Sequence, residues 1–143
     1  MSNNKSFQRL LVVQALYELS INKKRDQNSL DEIFSHIIEQ SDYKKKIKNS
    51  SLKFAEEIFE GVNIHCDQID KILKASINKK IKVSTMDKLL ISIFRPAIYE
   101  IKFSLITKKI IISEYLLIAN RFFGDNETSL INGVLDNLQN SQV

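Results

Sequence analysis

Apolar residues recur at intervals of three or four positions along almost the whole chain, and this spacing limits the fold more than any other feature. Near the N-terminus the repeat is every four residues, and it consists of Phe7, Leu11, Ala15 and Leu19. Residues with this spacing lie on one face of an α-helix. Only three glycines and one proline occur in 143 residues, which leaves few signals for turns. The pattern therefore predicts an all-α protein.

The same spacing predicts about seven helices, and polar residues mark their expected starts. Ser, Thr, Asn and Asp are expected there because their side chains accept hydrogen bonds from the free amides of a first turn. The first helix is expected to end near Ile21. The six later helices are expected to start at Asn28 or Ser29, at Ser50 or Ser51, near Asp67, at Ser84 or Thr85, at Ser113, and at Asp125 or Asn126.

Two segments of the second half interrupt the helical pattern. Pro96 lies inside the fifth apolar stripe and cannot donate to the carbonyl of Ser92, so we expect a kink in a helix that continues. Residues 108–112 include three successive isoleucines, which favour a strand by propensity. Since the sequence offers no partner strand, we expect a loop there. The sixth helix is then expected to run through Phe122 and to stop near Gly124.

Two glycines lie inside helical patterns, at Gly61 and Gly133. A glycine inside a helix costs about 1 kcal/mol relative to alanine. Its use therefore predicts that another helix approaches closely at each position. For Gly61, a helix end is an almost equally good explanation.

Length and composition indicate one domain over residues 1–143 that can bury a core without metals or disulfides. Cys66 is the only cysteine, so no intrachain disulfide can form and a reducing compartment is favoured. The first residues do not resemble a signal peptide, and no apolar run approaches the roughly 20 residues needed to span a bilayer. A cytoplasmic protein that is not bound to a membrane is expected.

The formal net charge of +4 comes entirely from the first part of the chain. Residues 1–82 hold 15 Lys or Arg against 11 Asp or Glu, whereas residues 83–143 hold six of each. This modest basic bias is compatible with an acidic partner such as RNA, but it does not by itself identify one.

The sequence contains little that resembles a catalytic or metal site. His36 and His65 are the only histidines, and neither has a second ligand at metal spacing. Cys66 follows His65 directly, which places the two side chains on different faces of a helix, a poor geometry for a nucleophile and its base. There is no glycine-rich phosphate loop. We therefore expect neither an enzyme nor a cofactor or metal.

Four segments in order carry a family resemblance. They are Val13-Gln14-Ala15-Leu16-Tyr17; Gly61-Val62 followed by Ile69-Asp70; Arg95 with Ala97-Ile98-Tyr99-Glu100-Ile101; and the C-terminal set Ile112-Ser113-Glu114, Ala119-Asn120-Arg121-Phe122-Phe123-Gly124 and Asn132-Gly133-Val134-Leu135-Asp136. This ordered set spans the chain from about Phe7 to Leu138 and resembles the transcription antitermination factor NusB family. The resemblance implies seven helices in two packed three-helix bundles plus one further helix.

The resemblance also implies a function without catalysis. Proteins of this family bind the single-stranded boxA element of nascent RNA, especially in ribosomal RNA operons. They do so with NusE, a ribosomal protein of the small subunit, and act on an RNA polymerase elongation complex with other Nus factors to suppress premature termination. Members occur as monomers and as homodimers, so the resemblance leaves open whether this chain forms a homodimer.

Two regions are expected to contact RNA by this resemblance. They comprise Lys5, Arg9, Gln14 and Tyr17 on the first helix, and Asn126, Glu127, Ser129 and Leu130 at the start of the last. Lys5 and Arg9, four residues apart and so on one helix face, are expected to meet phosphates. The family's often basic positions between them are Ser6, Phe7 and Gln8 here. Gln14 and Tyr17 offer a base-edge hydrogen bond and a stacking face. Tyr17 as a core-edge aromatic and Asn126 as an N-cap remain open alternatives.

A third group of polar residues is expected to hold the second bundle together. Arg95 and Glu100 lie within an apolar stripe, so each is expected to pair with a polar group elsewhere, with Glu114 and Asn132 as suggested partners. Contacts with NusE are not assigned to residues, because the sequence diverges there at Lys79-Lys80-Ile81-Lys82.

Two other functions are compatible with the same helical pattern. One is a NusB-like domain that acts in ribosomal RNA processing or modification, as at the N-terminus of ribosomal RNA cytosine methyltransferases. Nothing in these 143 residues is suited to hold a methyl donor. The other is a helical adaptor that binds only proteins, in which the lysines, including Lys44-Lys45-Lys46, serve solubility.

Overall fold

The structure is a computed structural model, and it describes residues 4–22, 30–40, 51–77 and 86–139. These residues form seven α-helices and no strand. The helices are α1 (Asn4–Ile21), α2 (Leu30–Glu39), α3 (Lys53–Ile64), α4 (Cys66–Ser76), α5 (Lys88–Phe103), α6 (Lys108–Ala119) and α7 (Asp125–Asp136). The all-α prediction and the end of the first helix at Ile21 are confirmed.

Six of the seven helices form two groups of three. Helices α1, α2 and α3 pack together, as do α5, α6 and α7, and α4 lies against α3 and α5. Helix α5 contacts α1, α3, α4, α6 and α7, so it lies between the two groups. The predicted arrangement of two bundles plus one further helix is confirmed.

Helix α5 is central because residues around most of its circumference are buried. Its fully buried residues lie on one broad face and include Ile93, Phe94, Ala97, Ile98 and Ile101. On the opposite side Arg95, Tyr99 and Lys102 recur every three or four residues and are only half-buried. The helix continues through Pro96, as predicted, and the buried Ser92 hydroxyl donates to the carbonyl of Lys88 at 2.8 Å.

The predicted start of the fifth helix was wrong by a few residues. The helix begins at Lys88 with Asp87 as its N-cap, and the Asp87 carboxylate accepts from the amides of Leu89 at 2.8 Å and Leu90 at 3.2 Å. Ser84 and Thr85, the expected caps, lie outside the described residues. An acidic side chain at this place also complements the positive end of the helix dipole.

The sixth helix differs more from its prediction, at both ends. It begins at Lys108 with Thr107 as N-cap, so residues 108–112 are helical and Ser113 is not a cap. Tertiary packing explains this, because Ile111 and Ile112 are buried against the neighbouring helices. At the other end the helix stops at Ala119, and residues 120–124 form a turn that places Phe122 outside it.

The two interior glycines have different surroundings. A Cβ atom on Gly61 would overlap the Tyr99 ring of α5, so the predicted close approach is confirmed there. At Gly133 no atom of the described residues lies within 4 Å of such a Cβ, and the prediction was wrong. Gly133 is exposed on α7.

None of the helices within the described ranges is long and apolar enough to cross a membrane.

Candidate nucleic-acid interface

An open groove of about 410 Å³ lies between α1 and α2 at the end of the molecule where α5 begins. Helix α1, helix α2, the first turn of α5 and the turn after α6 all contribute side chains. The lining residues are Gln14, Tyr17, Glu18, His36, Ile37, Gln40, Leu89 and Phe122. The volume falls in the range of roughly 300–1,000 Å³ that is usual for ligand sites.

Two of the residues expected to bind RNA lie together in this groove. Gln14 and Tyr17 are three residues apart on α1, which separates their directions around the helix axis by only about 60°. Both are half-buried. Phe122 joins them because the amide of Phe122 donates to the carbonyl of Ala119 at 3.0 Å, which turns the chain back after α6.

The groove is not a cationic surface. None of the described residues that line it is a lysine or arginine, and Glu18 contributes a carboxylate. Positive groups flank it along the chain, because Lys88 precedes Leu89 and Arg121 precedes Phe122. The Lys88 ammonium donates to the carbonyl of Ser20 at 3.3 Å, which holds it near the C-terminal end of α1.

Lys5 lies apart from the groove. It is exposed at the other end of α1, with its ammonium 5.2 Å from the centre of the Phe54 ring on α3. Nine residues separate Lys5 from Gln14, so the two point about 180° apart around the helix. The structure therefore does not bring Lys5 together with Gln14 and Tyr17 on one face.

Arg9 is buried, with 3% of its side chain exposed, and it is not presented to solvent. Its guanidinium donates to both carboxylate oxygens of Glu100 on α5, at 2.8 and 2.9 Å, and to Glu114 on α6 at 3.2 Å. This differs from the phosphate contact expected from the sequence, because all three bonds go to carboxylates inside the protein. Burial alone would lower the pKa of Arg9, but the hydrogen bonds and charge of Glu100 outweigh it and raise that pKa.

Two further residues complete this network, which we call the Arg9 cluster: Ser6, Arg9, Glu100, Glu114 and Tyr115. The Ser6 hydroxyl donates to Glu114, and the fully buried Tyr115 hydroxyl donates to Glu100 at 2.5 Å. Burial, followed by the charge of Glu100 and its hydrogen bond, raises the pKa of Tyr115 well above its ordinary value. The cluster joins α1 to α5 and α6, and every buried side-chain nitrogen and oxygen of the described residues has a hydrogen-bond partner.

Gln8 links the same half of α1 to a third helix. It is 6% exposed, and its side-chain oxygen accepts from the amide of Ala55 on α3 at 2.9 Å. That amide belongs to the first turn of α3, where no helical carbonyl is available. The positions where the family often carries basic residues thus make internal contacts here, through Ser6 and Gln8.

The start of α7 holds the second expected group of RNA-binding residues. Asn126 and Ser129 are exposed, while Glu127 and Leu130 are half-buried and Leu130 packs against the core. Gly124 occupies the N-cap, so Asn126 lies in the first helical turn and is not the cap. Asn126 lies four positions after Phe122, so the start of α7 is close along the chain to the groove.

The polar residues expected to hold the second bundle together have other partners than suggested. Arg95 is half-buried and donates to both oxygens of Asp70 on α4, at 3.0 and 2.9 Å. Glu100 pairs with Arg9 and Tyr115, and Glu114 also accepts from Arg9. Asn132 is exposed on α7. The sequence could not supply these pairs, because Arg9 lies 91 residues from Glu100.

Several groove residues were not expected from the sequence. His36, Ile37, Gln40 and Leu89 belong to ordinary helical patterns, and only their position beside α1 gives them a place in the groove. Phe122 had a signal, because it stands in Arg121-Phe122-Phe123-Gly124 within the resemblance and remains 43% exposed.

No metal-binding constellation occurs in the part of the chain that the structure describes. No group of three His, Cys, Asp or Glu side chains in these ranges is placed to hold a metal ion. His65 instead stacks on Phe103, with ring centres 4.1 Å apart. Burial raises the pKa of the Cys66 thiol, which makes it a weaker nucleophile.

Two helical bundles joined by a buried ion-pair network, with an open groove of amide and aromatic side chains, define the class as an all-α two-bundle protein. Comparison with known proteins identifies the family. The model of the NusB family matches residues 6–140. The chain belongs to the NusB family.

Individual relatives agree over almost the whole length. The chain is 33% identical over 139 residues to the transcription antitermination protein NusB of Clostridium acetobutylicum, covering 96% of each chain. It is 33% identical over 127 residues to the protein of the same name from Campylobacter hominis, covering 89% of each. The structure of NusB from T. maritima has a TM-score of 0.74, at 24% identity, over 92% of this chain and 87% of that one. This last likeness supports the fold.

Proposed function

We propose that the protein is a transcription antitermination factor that binds the single-stranded boxA element of ribosomal RNA operons. In this proposal it acts in the cytoplasm with NusE and with an RNA polymerase elongation complex that carries other Nus factors. Support comes from membership of the family and from the names of its relatives. The family is not an enzyme family, and the proposed role requires no catalysis.

The observation that carries the RNA part of the proposal is the chemistry of the groove. Gln14 and Tyr17, which the resemblance assigns to RNA, share it with Phe122. An amide can hydrogen-bond the edge of a base, and aromatic rings stack on unpaired bases. Such contacts suit a single strand, whose bases are available, better than a duplex.

The first helix has two tasks in this proposal. Lys5 contacts a phosphate from an exposed position, since its ammonium lies beside Phe54 at the surface. Arg9 acts as a positioning residue, because its bonds to Glu100 and Glu114 fix α1 against α5 and α6. Lys5 and Tyr17 lie about 18 Å apart along α1, since twelve residues each rise 1.5 Å, and about 120° apart around its axis. Residues 8–13 between them are buried, so in this proposal a strand that meets both passes over the neighbouring helices.

The start of α7 extends the same surface. Asn126 and Ser129 are exposed there and can donate to phosphate or sugar oxygens. Glu127 and Leu130 are half-buried and act by shaping this helix start. The RNA is thus proposed to run from the first helix past Phe122 to the start of the last helix. Both bundles are needed for this path, so they work as one domain.

Contacts with NusE and with a second copy of the chain remain unassigned to residues. The insertion at residues 79–82, where the sequence diverges, lies outside the described residues, as do Lys44, Lys45 and Lys46. The proposal commits to NusE as the protein partner on family grounds alone.

The test is a binding measurement with two RNAs and two protein states. Fluorescence anisotropy of a labelled boxA RNA and of a scrambled RNA is measured with this protein alone and with NusE added. We expect preference for boxA, and tighter binding when NusE is present. Equal affinity for the two RNAs would contradict the proposal. Binding of neither RNA, in the presence of a formed complex with NusE, would favour the protein-only adaptor.

A matched pair of glutamine variants tests whether the groove is part of the RNA site. Gln14→Ala removes an amide from the groove, whereas Gln68→Ala removes an exposed amide from α4. Loss of one hydrogen bond is expected to weaken boxA binding about two- to tenfold in the first variant only. Equal effects of the two substitutions would remove the groove from the proposed site.

A further inference from the structure

The α2 wall of the groove has no role in the proposed RNA contacts so far. It consists of His36, Ile37 and Gln40, which lie at spacings of one and three residues and so face α1 together. Gln40 is the last of them, where α2 ends. None of the three belongs to the segments that carry the family resemblance.

The polar groups on the two walls are suited to the edge of a base. Gln14 from α1 and Gln40 from beyond α2 each offer one acceptor oxygen and two donor hydrogens. Neither side chain is engaged in a hydrogen bond within the described residues, in contrast to the internally bonded Gln8. An amide presents donor and acceptor side by side, which matches the alternating donors and acceptors of a nucleobase edge.

The remaining lining favours the base of a nucleotide over its phosphate. Tyr17 and Phe122 supply aromatic faces, and Ile37 and Leu89 supply apolar contacts. The described lining contains neither lysine nor arginine, whereas Glu18 contributes a carboxylate, so the groove offers little attraction to a phosphate. Cations occur just outside, at Lys88 and Arg121, where the phosphates on either side of an inserted base would pass.

We propose that this groove holds one unstacked nucleobase of the bound RNA, and that Gln40 reads its edge from the α2 side. Gln14 reads the same base from the α1 side, and Tyr17 and Phe122 supply the stacking surface. Gln40 is therefore a specificity-determining residue of the RNA site. The inference rests on the proposed function, since it requires that the protein bind a single-stranded RNA.

The experiment combines a nucleotide scan with the protein variant. In a series of labelled boxA RNAs each nucleotide in turn is replaced by an abasic site, and dissociation constants are measured with the wild-type protein in complex with NusE. One position is expected to dominate, with a loss of about 5- to 150-fold from the lost stacking. The variant Gln40→Ala is expected to bind intact RNA about two- to tenfold more weakly. On the RNA that lacks the dominant base, wild type and variant should bind equally.

Gln68→Ala is the matched control, because it removes an exposed glutamine amide far from the groove on α4. It should follow wild type on every RNA. A Gln40→Ala loss that is the same on all abasic RNAs, or no loss at all, overturns the inference while the wild-type binding still supports the proposed function. Failure of the wild-type complex to bind intact boxA RNA overturns the proposed function, and the inference with it.

Discussion

The two halves of α1 carry similar polar side chains but use them in opposite ways. In the N-terminal half, Ser6, Gln8 and Arg9 are bonded to three other helices, and Arg9 is almost completely buried. In the C-terminal half, Gln14 and Tyr17 face an open groove. Ser6, Gln8 and Arg9 in the first half hold the bundles together, whereas Gln14 and Tyr17 in the second half line the groove.

This difference separates the two roles that a polar residue on one helix can have. A buried charge is tolerated only when its hydrogen-bonding capacity is met, and the carboxylates of Glu100 and Glu114 meet that of Arg9. A half-exposed amide such as Gln14 has no such requirement, because water satisfies it until a ligand replaces the water. Substitutions in the first half of α1 should therefore lower stability, whereas substitutions in the groove should lower affinity for RNA.

The largest effect is expected from Arg9→Met. The substitution leaves Glu100 buried and without its cation, which typically costs about 3–5 kcal/mol of the free energy of unfolding. Urea denaturation followed by circular dichroism measures the loss. Lys5→Ala is the control on the same helix, because exposed positions usually change stability by less than about 0.5 kcal/mol.

A double variant makes this first test specific. In Arg9→Met with Glu100→Leu no charge of the central pair remains, so part of the lost stability should return. If the double variant is as unstable as the sum of the two single changes, the pair does not act as a unit. Arg9 would then stabilise α1 by packing alone.

In the groove, we expect the reverse: a large effect on RNA affinity and a small one on folding. Phe122→Ala removes one stacking face and should weaken boxA binding by about 1–3 kcal/mol. Phe103→Ala is matched to it, since Phe103 is 38% exposed and Phe122 is 43% exposed. Anisotropy titrations of both variants give the comparison. A similar loss for Phe103→Ala would place RNA on the opposite end of α5 as well.

Two interior glycines show a similar contrast, because one lies against a neighbouring side chain and the other does not. Gly61→Ala places a Cβ into the Tyr99 ring and should destabilise the protein by about 1–3 kcal/mol, as overpacking does. Gly133→Ala meets no atom of the described ranges within 4 Å and should stabilise α7 by about 1 kcal/mol. Thermal unfolding of the two variants shows whether the same substitution has opposite signs. A gain at both positions would mean that Tyr99 moves aside freely.

The sequence predicted the helices well because their apolar stripes are local patterns. Seven stripes were sufficient for the fold class, and the end of α1 at Ile21 followed from where its stripe stops. The errors occurred where tertiary contacts decide. Residues 108–112 are helical because Ile111 and Ile112 are buried by other helices. The sequence gives no local sign of that burial.

The site was less predictable for the same reason. Gln14 and Tyr17 were found through the family resemblance, but the α2 wall of the groove depends on how two helices pack. Arg9 shows the limit most clearly, since a basic residue near the N-terminus suggests a phosphate contact. Its role becomes visible only when Glu100, 91 residues away, is placed beside it.

The Arg9 cluster can also be examined by pH, through Tyr115. Its pKa is raised well above the ordinary value of 10.0 in the folded state, so the folded protein binds the proton more tightly than the unfolded chain does. This contribution is fully present below about pH 10 and is lost as pH rises further towards the folded pKa. By pH 11 the unfolded state gains about 1.4 kcal/mol from ionising one such tyrosine.

Urea denaturation at a series of pH values between about pH 8 and pH 11 measures this loss for wild type and Tyr115→Phe. The variant lacks the ionisable hydroxyl, so its free energy of unfolding should fall less steeply than that of wild type over the alkaline interval. Parallel curves for the two proteins would show that Tyr115 does not retain its proton in the folded state.

The smallest effect on RNA affinity is expected from Lys5→Ala. This substitution is informative because it should change the salt dependence of binding. Each phosphate neutralised on a single strand contributes about −0.7 to the slope of log K against log salt concentration. Because Arg9 is occupied by carboxylates, the N-terminal half of α1 offers Lys5 as its exposed cation within the described residues. Lys5→Ala should therefore reduce the slope for boxA binding by about 0.7, with only a small loss of affinity at moderate salt. If the slope that remains in Lys5→Ala falls by about a further 0.7 when Arg9 is also replaced by Met, Arg9 leaves its cluster to meet a second phosphate when RNA binds. The division of α1 into a structural half and a binding half would then hold only for the free protein.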